Sequence, residues 1–371
     1  MLPEQNKIQG SDMPVLKAVY FYLTSYCNLN CLHCWISPEY IDKKEAPREA
    51  DLSLLQDIIN QAIPLGLKAV KITGGEPFLS KNVFRLISYA SGKNLHIIME
   101  TNATLIDEAG AKFMKENSVK QIAVSLDGPN REIHEKIRNK KGCFELTVNG
   151  LRLLKKYGLN VQVIMSLCRH NAGCLEETIT FAEQLGANSF KINCISDISR
   201  GKSFRDKGMS LTAAEYIAFN KKIEEEIQPR HKIRIIFDIP PAFKRLENIK
   251  NGRGRCGIKN ILGVMGDGSI SICGIGEVLS SLRLGDLKKE SLKEIWGNNK
   301  VLGIIREGLP SKLEGICGRC IFKALCLGKC RAEAYYKSNN FMSPFSFCEE
   351  ADRLGLFPKS RIFNKKEGSN E

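Results

Sequence analysis

The sequence predicts an α/β fold: a parallel sheet covered by helices, followed by a small cysteine-rich module containing a β-hairpin. Three observations carry this. Short apolar runs alternate with longer amphipathic stretches from Lys17 to about Asn193. The runs are nearly continuous in apolar character, as strands buried on both faces are. Ten of the fourteen cysteines fall in two tight regions, one behind the first run and one in the last third of the chain.

The predicted strands are Ala18 to Leu23, Ala69 to Thr73, His96 to Thr101, Gln121 to Leu126, Val161 to Leu167 and Ser189 to Asn193. The helices between them are Leu52 to Leu65, Val83 to Ser91, Asp107 to Glu116, Phe144 to Tyr157 and Leu175 to Leu185, each with apolar residues at helical spacing. Six βα units fit this region, two short of an eightfold barrel. From Ser199 the pattern loosens into a charged helix, Ala213 to Ile227, an apolar run, Ile233 to Phe237, then Pro240-Pro241 and a Gly-rich stretch, Asn251 to Gly257. Val264 to Ile272 reads as a hairpin turning at Asp267-Gly268.

Composition narrows the function classes. At 371 residues the chain has room for one large core and a second module. No apolar segment approaches a membrane span and Met1 to Met13 has no signal-peptide core, so a cytoplasmic location is expected. There, fourteen cysteines argue for metal ligation over disulfides. The net charge is +14 and the pI about 9.1. The lysines are dispersed, with no basic stripe interleaved with aromatics, so no nucleic-acid partner is expected; an acidic peptide leader would suit the charge.

The first cysteine region is Cys27-Asn28-Leu29-Asn30-Cys31-Leu32-His33-Cys34, directly behind the first strand. Three thiols at this spacing grip three irons of a cubane cluster and leave the fourth iron open for a cofactor. A zinc site would need His33 as its fourth ligand, wedged between two of the cysteines. Asn28 and Asn30 suit tight turns. Thr73-Gly74-Gly75-Glu76-Pro77 closes the second strand, with glycines that permit close backbone approach and a carboxylate beside them. Polar residues end later strands: Glu100, Thr101 and Asn102 after the third, Ser125 and Asp127 after the fourth, Ser166 after the fifth. The second region runs Cys256, Cys273, Cys317-x2-Cys320-x5-Cys326-x3-Cys330 and Cys348. Cys317-x2-Cys320 is also half of a zinc knuckle, but seven thiols with Cys330 interleaved fit zinc poorly. Cys143, Cys168, Cys174 and Cys194 show no ligand spacing and read as small buried apolar residues.

The cysteine loop with Gly74 to Pro77 resembles the radical S-adenosylmethionine (SAM) enzymes, and the seven later cysteines resemble their SPASM extension. The resemblance implies an open, partial (β/α)6 TIM-like barrel over 17–198, after an extension, 1–16; a bridge, 199–255; a SPASM domain, 256–350; and a tail, 351–371. It implies three [4Fe-4S] clusters: one on Cys27, Cys31 and Cys34; an incomplete auxiliary cluster on Cys256, Cys273 and Cys330; and a second on Cys317, Cys320, Cys326 and Cys348. SAM would meet Gly74, Gly75, Glu76, Pro77, Asn102, Ser125 and Arg138, and its reductive cleavage would yield a 5′-deoxyadenosyl radical.

By the same resemblance the substrate is a ribosomally made precursor peptide, to be cross-linked, epimerised or excised in its backbone. With 26 residues before Cys27, a separate leader-binding (RRE-type) protein is expected, with flavodoxin or ferredoxin as electron donor. A sulfatase-maturing enzyme is the alternative, but its acidic residue after the second SPASM cysteine is here Gly274, and its extra cysteine is missing from Ile258 to Val264. Asp267 and Glu277 are left as acid–base candidates. A haem-pathway tetrapyrrole decarboxylase would suit a basic protein. A non-catalytic iron–sulfur electron carrier would have no use for a SAM pocket.

Overall fold

The computed structural model describes residues 13–41, 49–249, 256–287 and 289–363. Most of the N-terminal extension, most of the Gly-rich stretch and the last eight residues of the tail lie outside them.

The six expected strands form, as β1 (Ala18–Tyr22), β2 (Ala69–Thr73), β3 (His96–Thr101), β4 (Gln121–Ser125), β5 (Val161–Leu167) and β6 (Ser189–Cys194). All pair in parallel, in sequence order. The sheet is larger than six strands. The run in the bridge, β7 (Arg234–Phe237), pairs in parallel with β6. On the opposite edge, β8 (Ile261–Val264) lies parallel to β1, with Ala18 facing Ile261. β8 then turns back into β9 (Ile270–Ser271), which carries β10 (Arg283–Gly285). The bridge is thus partly sheet, and the hairpin starts three residues before its predicted first residue. Gly268, at φ +85°, makes its turn.

The helices match the amphipathic stretches: α1 (Leu52–Ala62), α2 (Val83–Gly92), α3 (Glu108–Glu116), α5 (Cys143–Lys156) and α6 (Leu175–Gln184). α1 buries Leu55, Ile58, Ile59 and Ala62, the i, i+3, i+4, i+7 face. Each large aliphatic side chain so buried contributes about 1.5–3 kcal/mol. α4 (Arg131–Arg138) was not expected; it is capped by the Asn130 side chain, which accepts from the Ile133 N–H at 3.1 Å. α7 (Arg200–Asp206) and α8 (Ala213–Lys222) follow β6, α8 continuing as a π-helical turn over Ile223–Ile227. Among the described residues no helix is long and apolar enough to cross a membrane.

The strands alternate more than their sequences suggest. Val19, Phe21, Val70, Ile72, Ile97, Met99, Val163, Met165, Phe190 and Ile192 are fully buried under the helices. Their neighbours Tyr20, Lys71, Glu100, Ile164, Ser166, Lys191 and Asn193 are half-buried and belong to the opposite face. Lys71, Glu100, Ile164, Ser166 and Asn193 of that face line a single cavity.

Candidate active site

The cysteine loop is fixed to the barrel by three sets of contacts. Tyr26–Cys27 forms a short parallel ladder with Glu39–Tyr40. The Gly75 N–H donates to Thr24 O at 2.8 Å, and the Glu76 N–H to Tyr26 O at 2.9 Å. Gly75 must be glycine because a Cβ there would lie 1.8 Å from Tyr26 O. The close approach that demands glycine is therefore to the cysteine loop itself. The asparagines act as braces through their side chains: Asn28 is bonded to Thr104 at 2.8 Å and to Asn102 at 2.9 Å, and Arg200 donates to Asn30 and to Cys31 O.

Cys27, Cys31 and Cys34 open into a cavity of about 1180 Å³, lined also by Gly74, Gly75, Asn102, Ser125 and Arg138. Glu76 and Pro77 are not among its lining residues. The fully buried Glu76 carboxylate accepts from Thr101 Oγ1 at 2.7 Å, the Asn102 N–H at 2.8 Å and the Phe78 N–H at 3.3 Å. Burial pushes its carboxyl up to about 7. Its position is that of a clamp between the Gly-Gly turn and the end of β3.

Arg138, 7% exposed, pairs with Asp127 at 2.8 Å and reaches Cys31 Sγ at 3.7 Å. Burial would push the Asp127 carboxyl up, but the Arg138 guanidinium, with the Ser166 N–H, holds it below the ordinary range. His134 accepts from the Asp127 N–H at 3.1 Å, and burial drives its pKa down to about 3.

A second cavity of about 910 Å³ shares His33, Trp35, Ser166 and Asn193 with the first and reaches Cys273 and Cys330. Asp238, just after β7, sits there between Lys191, at 3.4 Å, and Lys329. Sequence reasoning missed Lys71, Lys191, Arg200 and Lys329. A signal was present for the first two: each is a lysine flanked on both sides by apolar residues inside a predicted strand.

The later thiols form two sets. Cys317, Cys320, Cys326 and Cys348 line one cavity of about 290 Å³. Burial raises the Cys330 thiol, and the nearby Glu333, then Cys256 and Cys273, raise it further. Sulfur-only donor sets suit iron–sulfur clusters. Cys143 packs against Cys27 and Cys31, whereas Cys168 lies among Ile137, Ile195 and Phe204. Both acid–base candidates are committed elsewhere. Asp267 accepts from Ser269 and pairs with Arg283 at 2.7 Å. Glu277 accepts from Ser25 Oγ at 2.7 Å and the Gly266 N–H at 3.0 Å.

Residues 21–182 match the Radical SAM superfamily, and residues 256–321 match the SPASM iron-sulfur cluster-binding domain. The chain is a radical SAM enzyme with a SPASM domain. It is 26% identical to an AdoMet-dependent heme synthase of Methanosarcina barkeri, over 90% of this chain and 96% of that one. It is 27% identical to the antilisterial bacteriocin subtilosin biosynthesis protein AlbA of Bacillus subtilis, over 89% and 71%. A cysteine-type anaerobic sulfatase-maturating enzyme of Clostridium perfringens is 26% identical, over 95% and 98%. In fold the chain is similar to Streptococcus suis SuiB bound to its precursor peptide SuiA, with a TM-score of 0.71 at 16% identity, covering 91% of this chain and 76% of that one.

Proposed function

We propose that this enzyme modifies a ribosomally made precursor peptide, as a cross-link, an epimer or a backbone excision. The observation that carries the reading is a pair of adjoining cavities that share His33, Trp35, Ser166 and Asn193, one lined by Cys27, Cys31 and Cys34 and the other by Cys273 and Cys330. Such a passage suits an extended chain threaded past a radical source. Similarity to AlbA, a bacteriocin biosynthesis protein, supports it.

In this reading Cys27, Cys31 and Cys34 hold the SAM cluster, Gly74, Gly75, Asn102, Ser125 and Arg138 line the SAM site, and Pro77 shapes the turn behind it. Cys256, Cys273 and Cys330 hold one auxiliary cluster, and Cys317, Cys320, Cys326 and Cys348 the other. When bound, the cluster and SAM supply a 5′-deoxyadenosyl radical. The chain's part is to orient the substrate C–H bond and exclude water.

The sulfatase-maturing alternative meets a steric objection. A Cβ at Gly274 would lie 2.3 Å from the ring of Tyr22, which is itself buried, so an acidic side chain after Cys273 has no room. Tetrapyrrole side-chain decarboxylation is the second reading. It is favoured by Lys71, Arg138 and Arg200 in the first cavity and Lys191 and Lys329 in the second, together with the heme synthase similarity.

The test is to incubate reduced, cluster-loaded enzyme with SAM, flavodoxin or ferredoxin, and the short peptides encoded beside it, with and without a candidate leader-binding protein. Loss of two hydrogens marks a cross-link, deuterium uptake an epimer, and a larger loss an excision. Carbon dioxide release from a tetrapyrrole, or oxidation of a sulfatase peptide, with every neighbouring peptide unchanged, sinks the peptide reading. Iron analysis is expected to give about twelve irons per chain if three cubanes are held.

A further inference from the structure

The first cavity contains a single carboxylate among its described lining residues, Glu100. The carboxylates around it are spent. Asp127 pairs with Arg138, Glu76 clamps Thr101 and Asn102, Asp238 is shared by two lysines, and Glu333 accepts from Ser196, the Asp197 N–H and Ser346. Glu100 differs from these. Its side chain is 37% exposed, and the surface it shows is cavity. It stands on β3, one residue before Thr101 and two before Asn102, on the wall that carries the SAM-facing strand ends.

Its surroundings hold it in place and charged. Lys71 Nζ pairs with Oε1 at 2.6 Å, and Thr73 Oγ1 lies 3.4 Å from Oε2. Burial alone would push the carboxyl up. Lys71, with Lys191 and the Thr73 hydroxyl, reverses this and holds it below the ordinary range. The groups that face it are therefore Lys71 and Thr73 from β2, Lys191 from β6, and Tyr20 and Tyr22 from β1, both of which feel its charge. Ala123, opposite it on β4, is uncharged. Lys71 also lies over the Tyr20 ring at 5.1 Å, which fixes the ammonium from a second side.

We propose that Glu100 is the general base of the substrate cavity, positioned by Lys71. Its carboxylate takes the proton from a weakly acidic S–H, O–H or N–H group of the bound peptide. The substrate X–H bond breaks, a Glu100 O–H bond forms, and the electron pair stays on the substrate heteroatom. Lys71 and Lys191 then face the anion so made. The inference rests on the peptide reading, and it supplies within the barrel the base that Gly274 excludes from the SPASM domain.

The experiment compares wild type, E100Q, E100D and K71M as cluster-loaded enzyme, measuring modified peptide formed per 5′-deoxyadenosine released. The ratio is expected to fall at least ~100-fold in E100Q, within the range for loss of a general base, and to recover in part in E100D. A parallel loss of both products, ratio unchanged, overturns the proposal. K71M leaves the carboxylate in place and keeps the test if E100Q does not load: the acid limb of the ratio should move to higher pH, and an unmoved limb overturns the proposal. Infrared titration of the holoenzyme against E100Q needs no substrate. Glu100 ionised at pH 7 is expected, and Glu100 protonated there refutes the role. A wild type that modifies no peptide sinks the peptide reading, whereas a protonated Glu100 sinks the base while leaving the peptide reading intact.

Discussion

Replacing Gly75 by alanine tests the view that the Gly-Gly turn exists to seat the cysteine loop. The new Cβ would stand 1.8 Å from Tyr26 O, 2.4 Å from Tyr26 C and 3.1 Å from Cys27 N, all backbone atoms that cannot rotate away. Relief requires moving the loop by more than an ångström. That movement breaks the Gly75 N–H to Thr24 O and Glu76 N–H to Tyr26 O bonds. Two such bonds contribute about 1–3 kcal/mol, and overpacking adds about 1–3 kcal/mol, so a loss of about 2–6 kcal/mol is expected. Gly92→Ala is the control, since nothing lies within 4 Å of its added Cβ. The assay is denaturant unfolding of the metal-free protein, with iron bound per chain measured after reconstitution. G75A is expected to lose stability and about four irons while G92A keeps both. A G75A protein with wild-type stability and iron content would refute the reasoning.

Three further outcomes follow from buried groups. Asp127→Asn leaves the Arg138 guanidinium buried without its counter-ion, and a loss of about 3–5 kcal/mol is expected in the same unfolding assay. His134 is held neutral, its folded pKa about 3 against 6.5 for a freely solvated histidine, so the unfolded chain binds its proton first. Its contribution is full above about pH 6.5 and declines as pH falls, by up to about 1.4 kcal/mol per unit; His134→Gln should flatten that slope between pH 6.5 and 5. Gly274→Asp drives a side chain into the Tyr22 ring, and a loss of about 3 kcal/mol or more is expected; a variant as stable as wild type would reopen the sulfatase-maturing alternative.

Much of the barrel was legible because strand and helix periods are local properties. Ala69–Thr73, His96–Thr101 and Val161–Leu167 are observed within the bounds that apolar runs gave them. What the pattern could not supply was partnership across the chain. Ala18 pairs with Ile261, and nothing within either segment names the other. The same limit hid the place of Arg234–Phe237 at the far edge. Helix Arg131–Arg138 was missed because Ile133 and Ile137 are its only aliphatic residues, too few to show a period. Within the site, the cysteine spacings and Gly-Gly turn were readable as motifs. Which way Glu76 faces, and that Glu100 rather than Asp267 or Glu277 meets the cavity, depend on packing between distant elements.

The pairing of Ile261–Val264 with Ala18–Tyr22 also bears on engineering. The two cysteine-bearing regions are not beads on a string that could be exchanged between relatives as cassettes. A cut in the bridge would strip β1 of one neighbour and leave a bare strand edge beside the cysteine loop, an invitation to aggregate. Chimeras that exchange substrate preference should therefore keep β8, β9 and β10 with the barrel and place the splice beyond Gly285, where helices, the four-thiol set and Cys330 change hands together.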